Sequence, residues 1–375
     1  MRIGVPTEVL DHEGRVGLTP ASVQELVGDG AAVVVQAGAG VASGLTDDDY
    51  AAAGATLTDD PAEAWAADLV VKVKEPVGSE YGFLRSDQVL FTYLHLAADR
   101  PLTERLLEAG TTAIAYETVQ SDDGRLPLLA PMSQIAGRMA GIVGANLLDA
   151  TRGGTGVLMG GIAGVAPAEV VVLGAGVAGT GAATFAHGLH ASVTVFDKHI
   201  PALRRLDDAF GPGVRTLAAT GQAIEEAVLR ADLVVGTVLV PGAHAPQLVS
   251  RELVEAMRPG AALVDISIDQ GGCFEVSRPT THSDPTFTAG GSTVYAVANM
   301  PAAFPRTSTF ALTSLTLPYV RALAGDGGWR AACAADPVLA EGLNTHDGAV
   351  LHAGVAEAHD LPPAEDHDRY RRGPQ

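Results

Sequence analysis

The chain has 375 residues, enough for two domains of ordinary size, and its 47% hydrophobic and 18% charged content is globular rather than disordered. Its formal net charge is −20 with no Lys/Arg-rich run, which argues against a nucleic acid or an anionic membrane as partner. Cys273 and Cys333 are its two cysteines, too few for a disulfide framework or a cysteine zinc site. With neither a signal peptide nor a membrane-length apolar run, the expected home is the reducing cytoplasm.

Short β-branched runs alternate with helix-like segments, the pattern of α/β layers around parallel sheets. In the first part, strands are predicted over Arg2–Val5, Ala32–Gln36, Leu69–Val73, Val89–Tyr93 and Thr112–Glu117. Helices are predicted over Pro20–Asp29, capped by Thr19, and over Asp47–Ala53, Pro61–Ala66 and Pro101–Ala109. None of the turns between them carries a phosphate-binding glycine pattern. Ser133 then caps a long helix running to about Thr151. Its Gly137, Gly141 and Gly144 imply close approach by another element, since glycine inside a helix costs about 1 kcal/mol relative to alanine. A second strand series follows at Val170–Leu173, Ser192–Phe196, Leu233–Gly236, Ala262–Ile266 and Val294–Val297. Thr307–Leu323 reads as helix, and the polar tail from Pro362 as loose. The expected fold class is α/β, two doubly wound parallel-sheet domains, one near 131–303 and the other mainly in 1–130.

The second series opens with VVVLGAGVAGTG, in which Gly174, Gly176 and Gly179, with Val177 between them, match G-x-G-x-x-G. Alone the pattern is weak. Here it follows a strand, opens a helix, and is answered by Asp197 after the next strand, about 20 residues on. Gly174 permits the tight turn, Gly176 lets the backbone approach a pyrophosphate, and Gly179 lets the helix pack on the strand. A carboxylate at Asp197 suits the free ribose hydroxyls of NAD and repels an NADP phosphate, although Lys198 and His199 beside it leave room for some NADP tolerance. His187 and His190, three residues apart on the crossover helix, lack a third ligand and read as solvent-exposed positions rather than a metal site.

The glycines identify a cofactor, not a reaction. HEGRVGLTP puts Arg15 in the loop after the first strand, VVKVKEP ends a strand with Lys72 and Lys74, and FTYLHLA puts His95 at the end of the next strand. Ligands of open parallel sheets bind outside the carboxyl ends of strands, so all three segments land on one rim. Singly, each has a dull reading, surface charge for Arg15 and the lysines and a core hydrogen bond for His95. Together they offer a fork for a carboxylate, a donor for a carbonyl oxygen and a group that titrates near neutral pH. In LVDISIDQGG, Asp265 and Asp269 follow the apolar run of another predicted strand.

These residues carry a resemblance. MRIGVPTE, RVGLTPASV, QAGAG, KVKEP, FTYLHLAA, AYETVQ, LPLLAPMSQIAGRMA, VLVPGAHAPQLVS, DISIDQGGCFE and VANMPAAFPRTSTFALT span nearly the whole chain, which resembles the alanine dehydrogenase/transhydrogenase family in its bacterial alanine dehydrogenase branch. The resemblance implies that residues after about 304 return to the first domain, giving a discontinuous substrate domain of 1–130 plus 304–375 and an NAD-binding Rossmann domain of 131–303. It also implies an active-site cleft between the two and a homohexamer. By position, it assigns Arg15 to the substrate carboxylate, Lys74 to the pyruvate carbonyl oxygen, His95 to acid/base catalysis and Asp269 to the nicotinamide side. The same resemblance implies that Ser133, Gly176, Asp197 and Asn299 contact the cofactor and that Val238 and Leu239 flank its ring. Asp265, nearer the strand, is expected to bond loop backbone instead. Departures from the family pattern are small, Gly17 where RVALTP is usual and Ala202 where some members have lysine.

The reaction so implied is reversible NAD-dependent oxidation of L-alanine to pyruvate and ammonium, with glyoxylate as a possible side substrate. The rival readings are the soluble NAD-binding part of a transhydrogenase, a dehydrogenase for another amino acid, and a non-catalytic NAD sensor. The first lacks the His of FTYLHLA and the Asp of DISIDQGG; the last has no use for the Arg/Lys/His/Asp set. No metal site is assigned.

Overall fold

The computed structural model describes residues 1–238, 245–362 and 364; Leu239 and nearly all of the tail expected to be loose lie outside them. Two compact units emerge, one comprising the residues up to Met132 together with those from Ala302 onward, the other Ser133–Pro301.

In chain order, the first unit contributes β1 (Arg2–Val5), β2 (Ala32–Gln36), β3 (Thr56–Thr58), β4 (Leu69–Val71), β5 (Val89–Thr92) and β6 (Thr112–Ala115). The second contributes β7 (Glu169–Leu173), β8 (Ser192–Asp197), β9 (Val214–Ala218), β10 (Leu233–Gly236), β11 (Ala262–Asp265), β12 (Thr286–Ala289) and β13 (Ser292–Tyr295). The returning segment adds β14 (Leu343–His346) and β15 (Ala349–Val350) to the first. Among the described residues, the sheet of the first unit runs β15-β14-β6-β5-β4-β1-β2-β3 and that of the second β12-β13-β11-β10-β7-β8-β9. From β6 to β3 and from β13 to β9 every pairing is parallel, and β14, β15 and β12 join the edges antiparallel. The expected α/β class is present, and the strand order reverses at β1 beside β4 and at β7 beside β10.

Local chemistry explains the elements. β4, β5 and β6 are buried throughout, as their unbroken apolar runs require when helices cover both faces. Helices Pro20–Gly28, Pro61–Trp65 and Arg100–Ala109 each carry proline in the first turn, and the side chains of Thr19, Asp60 and Asp99 accept from Ser22, Ala62 and Leu102 amides. Beneath them Trp65, Val70, Leu90, Leu94, Leu106 and Ala113 form a core that Val350 and Val355 of the returning segment complete. Helix Pro305–Ala324 is tied to the loop after β1 through Thr309, whose Oγ1 accepts from the Val16 amide at 3.1 Å and lies 2.9 Å from Ser43 Oγ.

Several expectations need correction. The helix expected from Ser133 to about Thr151 spans Ala130–Leu147, so Ser133 lies inside it rather than capping it. Asp149 instead caps a separate turn at Ala150–Arg152, which ends the α-helix early. The implied close approach does occur: a methyl added at Gly137 would lie 2.1 Å from the Ala178 carbonyl oxygen. His187 and His190 do not share a helix face. Helix Val177–Gly188 ends between them, His190 adopts φ 64°, and half-buried His187 packs edge-on to Phe210 at 5.5 Å. The strand expected at Val294–Val297 begins at Ser292, because its partner is the antiparallel β12. That hairpin, with the edge strands β3, β9 and β15 and the neighbouring β14, went unrecognised: its Thr-rich, half-exposed residues lack an apolar run.

Candidate active site

In the first unit, the crevice at the switch point lies between the carboxyl ends of β1 and β4, where a doubly wound sheet binds its ligand. Arg15 follows β1, Lys74 follows β4 and His95 follows β5, three neighbouring strands. Arg15 is only 2% exposed. Its Nε donates to Glu13 Oε1 at 2.7 Å, its Nη2 donates to Glu13 Oε2, and Nη1 meets the Met132 sulfur at 3.2 Å. Burial works against the guanidinium charge, but the Glu13 carboxylate outweighs it and holds the group above its ordinary value.

The two lysines of VVKVKEP part company. Lys72 is fully buried, with Nζ 3.1 Å from Glu8 Oε2 and 2.8 Å from Glu80 Oε1. This corrects the surface-charge reading and makes Lys72 a structural cation. Lys74 is half-buried, its Nζ 2.9 Å from Glu75 Oε2. Glu8 organises both, since Oε1 accepts from the Val73 amide at 2.6 Å and from the Lys74 amide at 3.4 Å. Burial raises the Glu8 carboxyl more than Lys72 lowers it.

His95 sits three residues beyond β5 rather than at the strand end, in a left-handed turn at φ 51° and ψ 33°. A non-glycine residue there is strained by roughly 1 kcal/mol. Its ring stacks on Tyr93, with centroids 6.0 Å apart and planes 9° from parallel, and Tyr93 is anchored by a 2.6 Å bond from its hydroxyl to the Leu128 carbonyl. The His95 amide donates to Glu117 Oε1 at 2.6 Å. Burial raises the Glu75 carboxyl, but Lys74 and then His95 pull it down further, so its net shift is below the ordinary value. Glu75 thus feels the charge of both Lys74 and His95, and the His95 ring stacks on Tyr93. Neither Arg15, which is buried, nor Lys74, which is paired with Glu75, is the free surface charge of the dull reading. Glu8, Glu13, Glu75 and Glu117 were missed. The available signal was an acid within each rim peptide: PTE, HEGR, KEP and YET.

In the second unit, the G-x-G-x-x-G loop leaves β7 at the switch point and opens helix Val177–Gly188. A methyl on Gly176 would meet nothing within 4 Å, leaving an open backbone face, whereas one on Gly179 would lie 1.8 Å from the Gly174 carbonyl oxygen. Asp197, ending β8, accepts from the Ala175 amide at 2.6 Å and the His199 amide at 2.7 Å, so its carboxylate borders the loop. Ser133 lies one turn before the contact of Gly137 with Ala178. Val177 is exposed, and Val238 follows β10, which adjoins β7. Asn299 takes φ 64°, and its carbonyl lies 3.2 Å from His282 Nε2. An open backbone face, a helix N-terminus and a carboxylate after the second strand suit a dinucleotide.

Asp269 is exposed on the short turn Ile266–Gln270 after β11. Asp265 is buried and has the role expected of it. Oδ1 accepts from the Ser267 amide at 3.0 Å, and Oδ2 accepts from the Cys273 amide at 2.9 Å and the Ser277 hydroxyl at 2.5 Å. Burial raises its carboxyl above the ordinary value despite those donors. Ser267 in turn donates to the Val238 carbonyl at 2.7 Å, tying the Asp269 turn to the end of β10.

Residues 4–136 match the alanine dehydrogenase/PNT N-terminal domain and residues 140–353 the alanine dehydrogenase/PNT C-terminal domain. The chain belongs to the alanine dehydrogenase/PNT family. An alanine dehydrogenase of Mycolicibacterium smegmatis is 57% identical over 363 residues, 96% of this chain and 98% of the relative. One from Halomonas elongata is 54% identical, over 97% of this chain and 98% of its own length. The solved structure of an L-alanine dehydrogenase superposes with a TM-score of 0.92 at 49% identity, covering 96% of this chain and 99% of that one. A transhydrogenase of Sinorhizobium meliloti has the same fold at a TM-score of 0.79 and 26% identity, over 94% and 99% of the two chains.

Proposed function

We propose that this family member is an NAD-dependent amino-acid dehydrogenase that converts L-alanine and water to pyruvate and ammonium, reversibly. Full-length similarity to alanine dehydrogenases, at 57% and 54% identity against 26% for the transhydrogenase, is the observation that carries the reading. The rim cluster of Arg15, Lys74 and His95 supports it, because a hydride exchange between nucleotides needs no carboxylate fork. The charge of −20, without a basic run, suits small-molecule substrates better than a nucleic-acid partner, and the family resemblance extends the reading to a cytoplasmic homohexamer. Among the described residues, no helix is long and apolar enough to cross a membrane.

Gly174, Gly176, Val177 and Gly179 would hold the pyrophosphate, Asp197 the adenosine ribose, and Ser133, Val238, Leu239 and Asn299 the rest of the dinucleotide. NAD bound there supplies the hydride acceptor for C2 of the substrate. Arg15, steadied by Glu13, would turn its Nη edge to the substrate carboxylate, a far better acceptor than the Met132 sulfur. Lys74 would donate to the C2 heteroatom. Orientation of this kind is worth at most about 7–11 kcal/mol of barrier. Once C2 carries an iminium, water must add to it. His95 would take the proton of that water and return it to nitrogen as ammonia departs, the proton balance closing as ammonium. Asp269 would offset the positive charge gathered at C2 and orient ammonium or water. The NAD preference follows from Asp197, and glyoxylate would be a weaker substrate, since one methyl group discriminates only about 10–200-fold.

The deciding assay follows oxidation of NADH with pyruvate plus ammonium. Robust turnover is expected; none with this pair, but turnover with another keto acid or nucleotide, overturns the substrate assignment. His95→Ala and Asp269→Asn should each lower kcat by about a hundred- to ten-thousandfold with NADH binding retained. Near-normal rates would remove either group from the chemistry.

A further inference from the structure

We propose that Glu117 is a positioning residue for His95, acting through the backbone; this rests on the acid/base role of His95 given above. β6 is the neighbour of β5 in the sheet, and Glu117 stands two residues past its end. Its half-buried carboxylate reaches across to the turn after β5. Oε1 accepts from the His95 amide at 2.6 Å and from the Leu94 amide at 3.2 Å, and Oε2 accepts from the Leu94 amide at 3.2 Å.

Two consecutive amides can converge on one carboxylate only if the chain turns sharply, and at His95 it turns into the left-handed region, φ 51°. That conformation is sparsely populated by any residue with a Cβ and persists only where its surroundings hold it. Here the carboxylate is the holder, because charge-assisted bonds to backbone amides are about twice as strong as neutral ones. The direction of the Cα–Cβ bond follows from φ and ψ, so the clamp sets where the imidazole starts. Stacking on Tyr93 then sets where the ring ends. Glu117 thus touches no reacting atom, yet decides whether the imidazole reaches the attacking water.

The test uses the full-length enzyme with L-alanine and NAD. Glu117→Ala should lower kcat at least about a hundredfold while KM for alanine and Kd for NADH stay within about threefold. Glu117→Gln keeps one acceptor oxygen for the His95 amide and should recover most of that loss. In a His95→Ala background, Glu117→Ala should cost less than about twofold, because a clamp with nothing to aim has no work left. A full kcat in Glu117→Gln and Glu117→Ala alike overturns the proposal, as does a double variant whose losses multiply. If wild type turns over and His95→Ala is inactive, such a result counts against the clamp alone; if His95→Ala is as fast as wild type, the acid/base role itself falls and the clamp with it.

Discussion

Lys72 and Lys74 are two apart in the sequence, and nothing in VVKVKEP separates them. Glu8 and Glu80 do, by drawing Lys72 inward. Burial opposes the Lys72 charge, but the two carboxylates outweigh it and hold the ammonium above its ordinary value. Lys72→Met should therefore strand both acids in the core and destabilise the protein by about 3–5 kcal/mol, measured as the midpoint of urea unfolding. An unchanged midpoint would mean that the carboxylates rearrange to reach water. Glu75 gives a pH prediction. Its folded value lies below the ordinary 4.5, so its stabilising contribution is complete above that pH and is lost as pH falls through the folded value. Glu75→Gln should thus lose less thermal stability than wild type between about pH 6 and about pH 3, and parallel curves would refute the coupling.

At the level of elements, the glycine loop illustrates how far a motif can be read. Its positions were legible because each glycine answers a separate steric demand, and the backbone shows two of them, the positive-φ turn at Gly174 and the close approach at Gly179. Gly179→Ala would bring a methyl 1.8 Å from the Gly174 carbonyl, against rigid backbone. The helix must back away from β7, so NADH affinity is expected to fall at least about tenfold by fluorescence titration while Gly176→Ala, with open space at its Cβ, is milder in stability. Equal affinity in Gly179→Ala and wild type would show that the loop tolerates the shift. Edge strands such as β9 and β12 were illegible for the opposite reason. Half-exposed threonines and alanines carry no periodic signal, and pairing with a neighbour decides their state.

For the molecule as a whole, a ligand that binds only the folded state raises its stability in proportion to the logarithm of one plus the ratio of its concentration to Kd. NADH at about a hundred times its Kd should add roughly 2.7 kcal/mol, seen as a higher Tm that Asp197→Ala reduces at the same concentration. No shift at that concentration would remove the dinucleotide site. The central apolar strands, the glycine fingerprint and the acid after the second strand were legible in the sequence alone. Each of these is local, set within a strand and its following turn. Tertiary structure decided what depends on neighbours distant in the chain. Glu8 and Glu80 assign Lys72 to the core, Glu13 braces Arg15, β14 closes the edge beside β6, and Glu117 sets the backbone of His95. Burial and charge pairing are properties of a place in the fold, and that place exists only once the sheet has brought separate carboxyl ends together.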